Sequence, residues 1–207
     1  MMKAFRLAIL ALLSLAATAA VAQDATAQDV DDAAAIRHER WTAGVLASYG
    51  NGLYDRTNVH FTRAGVRVGR VMTGELGSGW LRGTFEYDWE IMPLEMIFWG
   101  GYRNVYSVGV NPVIMKWNFT RGKRVIPYFL AQGGMLWSTD YIPPGNTAKI
   151  NFTSGPGIGL NYFVKPGRSI NFDFRATHLS NASLGTHNPG VNSSLQWGVG
   201  YNWWKQH

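Results

Sequence analysis

The chain has 207 residues, with 19 Lys and Arg against 13 Asp and Glu and a formal net charge of +6 at pH 7. It has no cysteine, which excludes a disulfide scaffold and acylation on a cysteine. It carries 24 Gly, nine Trp and 14% aromatic residues, yet after residue 22 it has no apolar run long enough for a membrane-spanning helix.

The N-terminus reads as a secretory signal. Lys3 and Arg6 supply the positive end, Leu7 to Ala22 form the apolar stretch, and Ala20-Val21-Ala22 fits a small-residue cleavage site before Gln23. Removal of residues 1–22 leaves 17 basic and 13 acidic residues, a net charge of +4. Export, abundant aromatics and glycines, and the lack of a long apolar run together predict a transmembrane β-barrel. A soluble periplasmic barrel or sandwich is the competing class.

Residues 23–40 are rich in Ala and Asp and lack a strand pattern, so they read as a flexible lead-in or at most a short helix. Residues 41–207 read as a single β-barrel domain. From Trp41 the period is two: Trp41, Ala43, Val45, Ala47 and Tyr49 alternate with Thr42, Gly44, Leu46 and Ser48. A second strand is expected over about Val59 to Val71, with a phase slip near Arg63 that suggests a bulge. In the third, Leu81, Gly83, Phe85, Tyr87, Trp89 and Ile91 share one face, and Arg82, Thr84, Glu86, Asp88 and Glu90 the other. The fourth and fifth cover about Val105 to Phe119 and Ile126 to Trp137, joined by Thr120 to Arg124. The sixth places Ile150, Phe152, Ile158, Leu160, Tyr162 and Val164 opposite Asn151, Thr153, Gly155, Gly157, Gly159 and Asn161. The seventh sets Ile170, Phe172, Phe174 and Ala176 against Asn171, Asp173, Arg175 and Thr177. The eighth sets Leu195, Trp197, Val199, Tyr201 and Trp203 against Ser194, Gln196, Gly198, Gly200 and Asn202.

Eight strands joined as hairpins predict an all-β, eight-stranded antiparallel up-and-down barrel. Such a barrel is just wide enough for side chains to fill. The large aromatics do not fit that bore, whereas glycines and complementary charges do. The apolar face is therefore expected to point outward into lipid, and closure removes the open edges that lipid does not tolerate. Glu86, Asp88 and Glu90 then need cationic partners inside, such as Arg82 or Arg175. Trp80, Trp99, Trp203 and Trp204 are candidates for the interfacial girdle. The chain ends Tyr-Asn-Trp-Trp-Lys-Gln-His, so three residues follow the terminal aromatic pair.

The stretch His178-Leu179-Ser180-Asn181-Ala182, followed by Asn188-Pro189-Gly190, raises a chemical question. Continuing the outward set of the seventh strand past Ala176 gives His178 and Ser180. Residues i and i+2 of a strand lie about 6.6 Å apart on one face. An imidazole and a hydroxyl bridge that gap by side-chain reach, the first requirement for an activated nucleophile. With a periplasmic N-terminus the odd strands run outward, and the pair lies near the outer leaflet. A polar pair there is costly unless something polar meets it, and the outer leaflet offers an ester-rich glycolipid. The basic balance is not clustered into a nucleic-acid stripe, but it suits an anionic glycolipid.

The same stretch resembles the lipid A 3-O-deacylases of the PagL type, grouped with acyloxyacyl-hydrolase-like outer-membrane barrels. The resemblance is concentrated in the last two strands and the hairpin between them. It implies an eight-stranded outer-membrane barrel that removes an ester-linked acyl chain from lipid A. It implies His178 as base, Ser180 as nucleophile, and backbone amides near Asn181 and Ser183 as oxyanion donors. A glycine is often found where this chain has Ser183. The third catalytic group of the family, a glutamate fourteen residues after the histidine, corresponds here to Asn192. Asparagine can orient the imidazole but adds no negative charge. That difference predicts a slow enzyme, one that recruits another acid, or an inactive one. His187 and Asn188, in the same loop, are candidates to help place the imidazole.

No cofactor is expected. His178 and His187 fall short of a ligand set, so no metal is expected either. Gly155 to Gly159 superficially matches a dinucleotide loop, but no helix follows it. Lipid A or lipopolysaccharide is the expected partner, within a membrane and without nucleic acid; monomer and homodimer both stay open. The alternatives are a non-catalytic outer-membrane barrel, serving adhesion or envelope integrity or persisting as a pseudoenzyme, and a soluble barrel with a lipid in its lumen.

Overall fold

The computed structural model describes residues 31–38, 40–145, 147–188 and 193–205. The expected signal and the first part of the lead-in, residues 1–30, lie outside them.

Eight antiparallel strands close into a barrel in sequence order, β1 pairing with both β2 and β8. They are β1 (Trp41–Gly52), β2 (Val59–Val71), β3 (Gly83–Trp99), β4 (Val105–Phe119), β5 (Val125–Ile142), β6 (Ala148–Lys165), β7 (Arg168–Ser180) and β8 (Ser193–Trp204). Period-two patterning explains the strands. In β1 the residues Trp41, Ala43 and Val45 are exposed and Thr42, Gly44 and Leu46 buried. In β7 Asn171, Asp173, Arg175 and Thr177 are buried inside, while Ile170, Phe172, Phe174 and Ala176 face out. The greasy face is thus the outer one. Closure pairs every strand on both edges, which is the condition for spanning hydrocarbon.

Two bulges correct the simple alternation. Between Ala64 and Val66 of β2, the partner strand β3 steps from Leu94 to Ile91, so the extra residue lies in β3 beside Pro93 and not in β2. β2 itself keeps one parity, with Arg63 inward and buried. A second bulge falls in β4 beside Pro112. A proline cannot donate to the ladder, which suits it to a bulge. Each proline carbonyl on the outer face is met by a tyrosine of the adjacent strand: Tyr106 donates to Pro93 O and Tyr87 to Pro112 O, both at 2.5 Å.

The β3 bulge reverses which side chains point inward beyond it. Glu95, Ile97 and Trp99 are buried within the barrel, although continued alternation from Trp89 and Ile91 would turn them out. Trp99, expected in the girdle, therefore joins an interior apolar cluster with Phe61, Ile142 and Leu179. Trp204 is also interior, 2% exposed, and donates its indole N–H to Ser169 Oγ at 2.9 Å. Trp80 and Trp203 remain outside at 71% and 40% exposure.

The bore is filled in layers. Its centre is a charge network around Glu90, which accepts from Arg67 Nε (2.9 Å), Arg175 Nη1 (2.9 Å), Arg175 Nη2 (2.8 Å) and Asn111 Nδ2 (3.1 Å). Arg175 also bonds Asp173 and Gln132. Glu86 and Asp88 pair with Lys116, and Glu95 with Arg63 at 2.8 Å. Arg175 is a partner as expected, but Arg82 is not. Arg82 lies outside the strands, half-exposed beside Glu75 at 3.5 Å, because β3 begins only at Gly83. Glycines on the inner face make room for this network: a Cβ on Gly69 would stand 1.8 Å from Asp88 Oδ1.

The N-terminal mouth is closed by the lead-in. Ala34–Arg37 form one 3-10 turn, and Ile36 is buried against Val71, Ile126, Phe163 and Trp204. Arg37 bonds Asp31 and the carbonyls of Thr120 and Gly122. Arg124 donates to Asp32 at 3.0 Å, and that bond raises the guanidinium pKa above its ordinary value. Charged and apolar interior layers together leave the barrel packed rather than porous.

Candidate active site

The site lies where β7 ends, at the mouth opposite the lead-in. His178 and Ser180 occupy alternate positions with Leu179 between them buried inside. Both therefore face outward, His178 exposed and Ser180 half-buried. Across the β6 edge Ser154 stands opposite His178 and Phe152 opposite Ser180. Across the β8 edge Ser193 stands opposite His178. The imidazole is thus flanked by two hydroxyl side chains, a relation set by register that local sequence does not carry. Among the described residues no hydrogen bond joins His178 to Ser180 in this resting arrangement. Their common face and spacing leave the bond within reach of rotamer change, and such contacts commonly tighten only with substrate bound.

The chain turns sharply after the serine. Ala182 and Ser183 have φ of 49° and 62°, and Leu184 N donates to Asn181 O at 2.9 Å. Two successive positive φ values with that bond define a type I′ turn, normally dominated by Gly, Asn and Asp. Neither Ala182 nor Ser183 is such a residue. Asn181 holds the turn in place. It is 2% exposed with its side chain inside. Its Oδ1 accepts from Ser183 N, and its Nδ2 donates to His187 O, both at 2.9 Å.

This arrangement decides which amides face the serine. Ser183 N–H is engaged by Asn181, whereas Ala182 N–H points at Ser180 Oγ, 3.4 Å away. His187 and Asn188 are exposed in the loop. Asn192 lies outside the described residues, as do Pro189 and Gly190. Among the described residues no three His, Cys, Asp or Glu gather to hold a metal ion.

The lipid A 3-O-deacylase (PagL) family model matches residues 63–202, more than half of the chain and including the whole β7 segment. The chain belongs to this family. Its structure is similar to that described as the crystal structure of the outer membrane enzyme PagL, at 18% identity and a TM-score of 0.54, over 77% of this chain and 97% of the other. At that identity the likeness shows the fold, which is that of outer-membrane barrels. Neisserial surface protein A is matched at 15% identity and a TM-score of 0.42, over 80% of this chain and 96% of its own. The N-terminal barrel of OprF from Pseudomonas aeruginosa is matched at 12% identity and 0.46, over 80% and 100%. No curated protein matches the chain.

Residues that the sequence left unremarked emerge around the PagL-type motif. Ala182 supplies an amide that points at the hydroxyl, and Ser154 and Ser193 flank the imidazole. The run of non-glycine residues after Asn181 hides the turn type, so no local signal identified that amide.

Proposed function

We propose that this PagL-family barrel is an outer-membrane serine esterase that removes an ester-linked acyl chain from lipid A. Export by cleavage after Ala22 is part of this reading. Ser180 Oγ attacks the ester carbonyl while His178 takes its proton, forming a tetrahedral oxyanion. The imidazolium returns the proton to the departing sugar oxygen as the C–O bond breaks, leaving an acyl-serine. Water attacks the acyl group, His178 takes its proton and returns it to Ser180 Oγ, and the fatty acid leaves. The oxyanion is assigned to backbone amides that follow the serine, among them that of Ala182, whose N–H lies 3.4 Å from Ser180 Oγ.

The observation that carries this reading is the shared outward face of His178 and Ser180 at one end of a lipid-facing barrel. A plain barrel gains nothing from a polar pair there. An ester held at the membrane surface reaches that face without entering the filled bore. Phe152, next to Ser180 on the neighbouring strand, offers apolar surface to the acyl chain. Asn192 is assigned the third position, orienting the imidazole through its carbonyl with Asn188 and His187 nearby. Without a carboxylate the imidazolium is less stabilised, and turnover is slow. Loss of the acid in a Ser-His-Asp triad costs about 10⁴ in rate, part of it through the wrong tautomer.

The test is mass spectrometry of lipid A incubated with the wild type and with Ser180→Ala. The wild type should release one acyl chain, and the variant should fold but release none. Equal deacylation by both would remove Ser180 from the mechanism. A folded wild type without activity would leave the non-catalytic barrel in its place.

A further inference from the structure

A second polar group lies on the outer face, away from the proposed serine site. Tyr49 and Asn51 of β1 and His60 of β2 all face outward and are half-buried. His60 Nδ1 is 2.6 Å from Asn51 Oδ1 and 2.9 Å from Tyr49 OH. The two rings lie nearly parallel, 18° apart. The Asn51 oxygen can only accept, so Nδ1 carries the proton, and in that tautomer Nε2 is the acceptor. Among the described residues nothing bonds Nε2.

The location is as informative as the chemistry. β1 ends and β2 begins at the same mouth at which β7 ends. A lateral row runs Ala176–Leu195–Asn51–His60 across β7, β8, β1 and β2. His178 lies one pleat beyond Ala176 in β7. His60 is therefore three strand spacings, about 14 Å, across the sheet from Ala176, with the histidine of the proposed site a further ~6.6 Å along β7. Only Ala176 and Leu195 intervene along the row. The flanking register partners Trp197 and Phe98 are apolar. An imidazole, an amide and a phenol set among lipid-facing apolar side chains carry a desolvation cost unless a polar group of the membrane meets them.

We propose that Tyr49, Asn51 and His60 bind the sugar headgroup of the same glycolipid whose ester is presented to Ser180. The proposal rests on the esterase reading for the identity of that lipid. The group offers an acceptor at His60 Nε2 and donors at Tyr49 OH and Asn51 Nδ2. It includes no fixed cation. That mixture fits saccharide hydroxyls and acylamides better than phosphate. Seating the saccharide here holds the lipid across β8 and β1 and limits which ester reaches β7.

The experiment uses the full exported chain in detergent, in a Ser180→Ala background that prevents turnover, with lipid A binding read by native mass spectrometry. His60→Phe keeps a ring of similar size and removes the acceptor; the loss of one hydrogen bond corresponds to about three- to tenfold weaker binding. Tyr49→Phe removes one oxygen and should weaken binding in the same direction; it carries the test if His60→Phe does not fold by circular dichroism. Phosphatidylglycerol binding should not change in either variant. The loss should persist with dephosphorylated lipid A. Unchanged lipid A affinity, or equal loss for both lipids, overturns the proposal. Loss that vanishes on dephosphorylation also overturns it, making phosphate the ligand. If the Ser180→Ala background still trims the bound lipid, the same spectra show the shorter product. That outcome sinks the nucleophile assignment and leaves the His60 comparison readable.

Discussion

Asn181 reaches from inside the barrel mouth to His187, donating from Nδ2 to the backbone carbonyl at 2.9 Å, while its Oδ1 accepts from Ser183. One buried side chain thereby ties down both ends of the turn beside Ser180. Asn181→Ala removes both bonds, but the amide and carbonyl it frees belong to the exposed residues Ser183 and His187, where water replaces Asn181, so the cost is about 0.5–1.5 kcal/mol per bond and falls on the loop. The expected result is faster proteolytic cleavage within residues 182–188 and a fall in deacylation, with the unfolding midpoint of the barrel nearly unchanged. Unaltered cleavage would mean that the loop is held by other contacts.

The turn itself predicts opposite outcomes at neighbouring positions. Ser183 has φ 62°, a conformation costing a non-glycine residue roughly 1–2 kcal/mol. Ser183→Gly should lengthen the proteolytic lifetime of the loop. Ala182 has φ 49°, and Ala182→Val should shorten it, because a β-branched side chain tolerates that region poorly. Equal lifetimes for all three proteins would argue against the type I′ turn.

Glu90 is fully buried and is the common acceptor of Arg67 and Arg175. Glu90→Ala leaves two guanidinium groups in the bore without their shared acceptor, and breaking a buried pair costs about 3–5 kcal/mol. Urea unfolding of the refolded barrel in detergent should show that loss. Glu90→Gln, which keeps the acceptor oxygen but not the charge, should lie between. A wild-type midpoint for Glu90→Ala would mean that the network does not support the barrel.

Each bulge carbonyl on the lipid face has one tyrosine donor. Tyr106→Phe frees Pro93 O and Tyr87→Phe frees Pro112 O. Each change should lower unfolding stability by about 1–3 kcal/mol, since hydrocarbon offers no replacement donor. Both sites lie on the β3–β4 pair but at separate bulges with no shared partner, so the losses should add in the double variant. Stability unchanged in both would show water or lipid headgroups reaching those carbonyls.

The third catalytic position has a direct test. Asn192→Glu supplies the negative charge that asparagine lacks, and deacylation of lipid A should become faster by orders of magnitude if no other acid serves His178. An unchanged rate would mean that another residue already orients and charges the imidazole.

Strand number, their near-boundaries and the outward greasy face were legible from the chain because side-chain alternation is a local property. The same parity put His178 and Ser180 on one surface before any fold was known. Parity carried past Trp203 also turns Trp204 inward, a sign present in the sequence that its indole chemistry obscured. What alternation does not carry is register. The extra residue beside Pro93 swings Glu95 and Trp99 into the bore; the proline marks a break in the ladder but not the step in register that follows it. Partner choice among buried charges, with Lys116 taking Glu86 and Asp88 while Arg82 stays outside, depends on which strands lie opposite one another. So do the hydroxyls beside His178 and the meeting of Tyr49, Asn51 and His60. Residues far apart in the chain become neighbours only when the sheet closes and its hydrogen-bond ladder selects one offset. Period two tells each side chain which face it occupies; the closed ladder alone tells it what lies alongside.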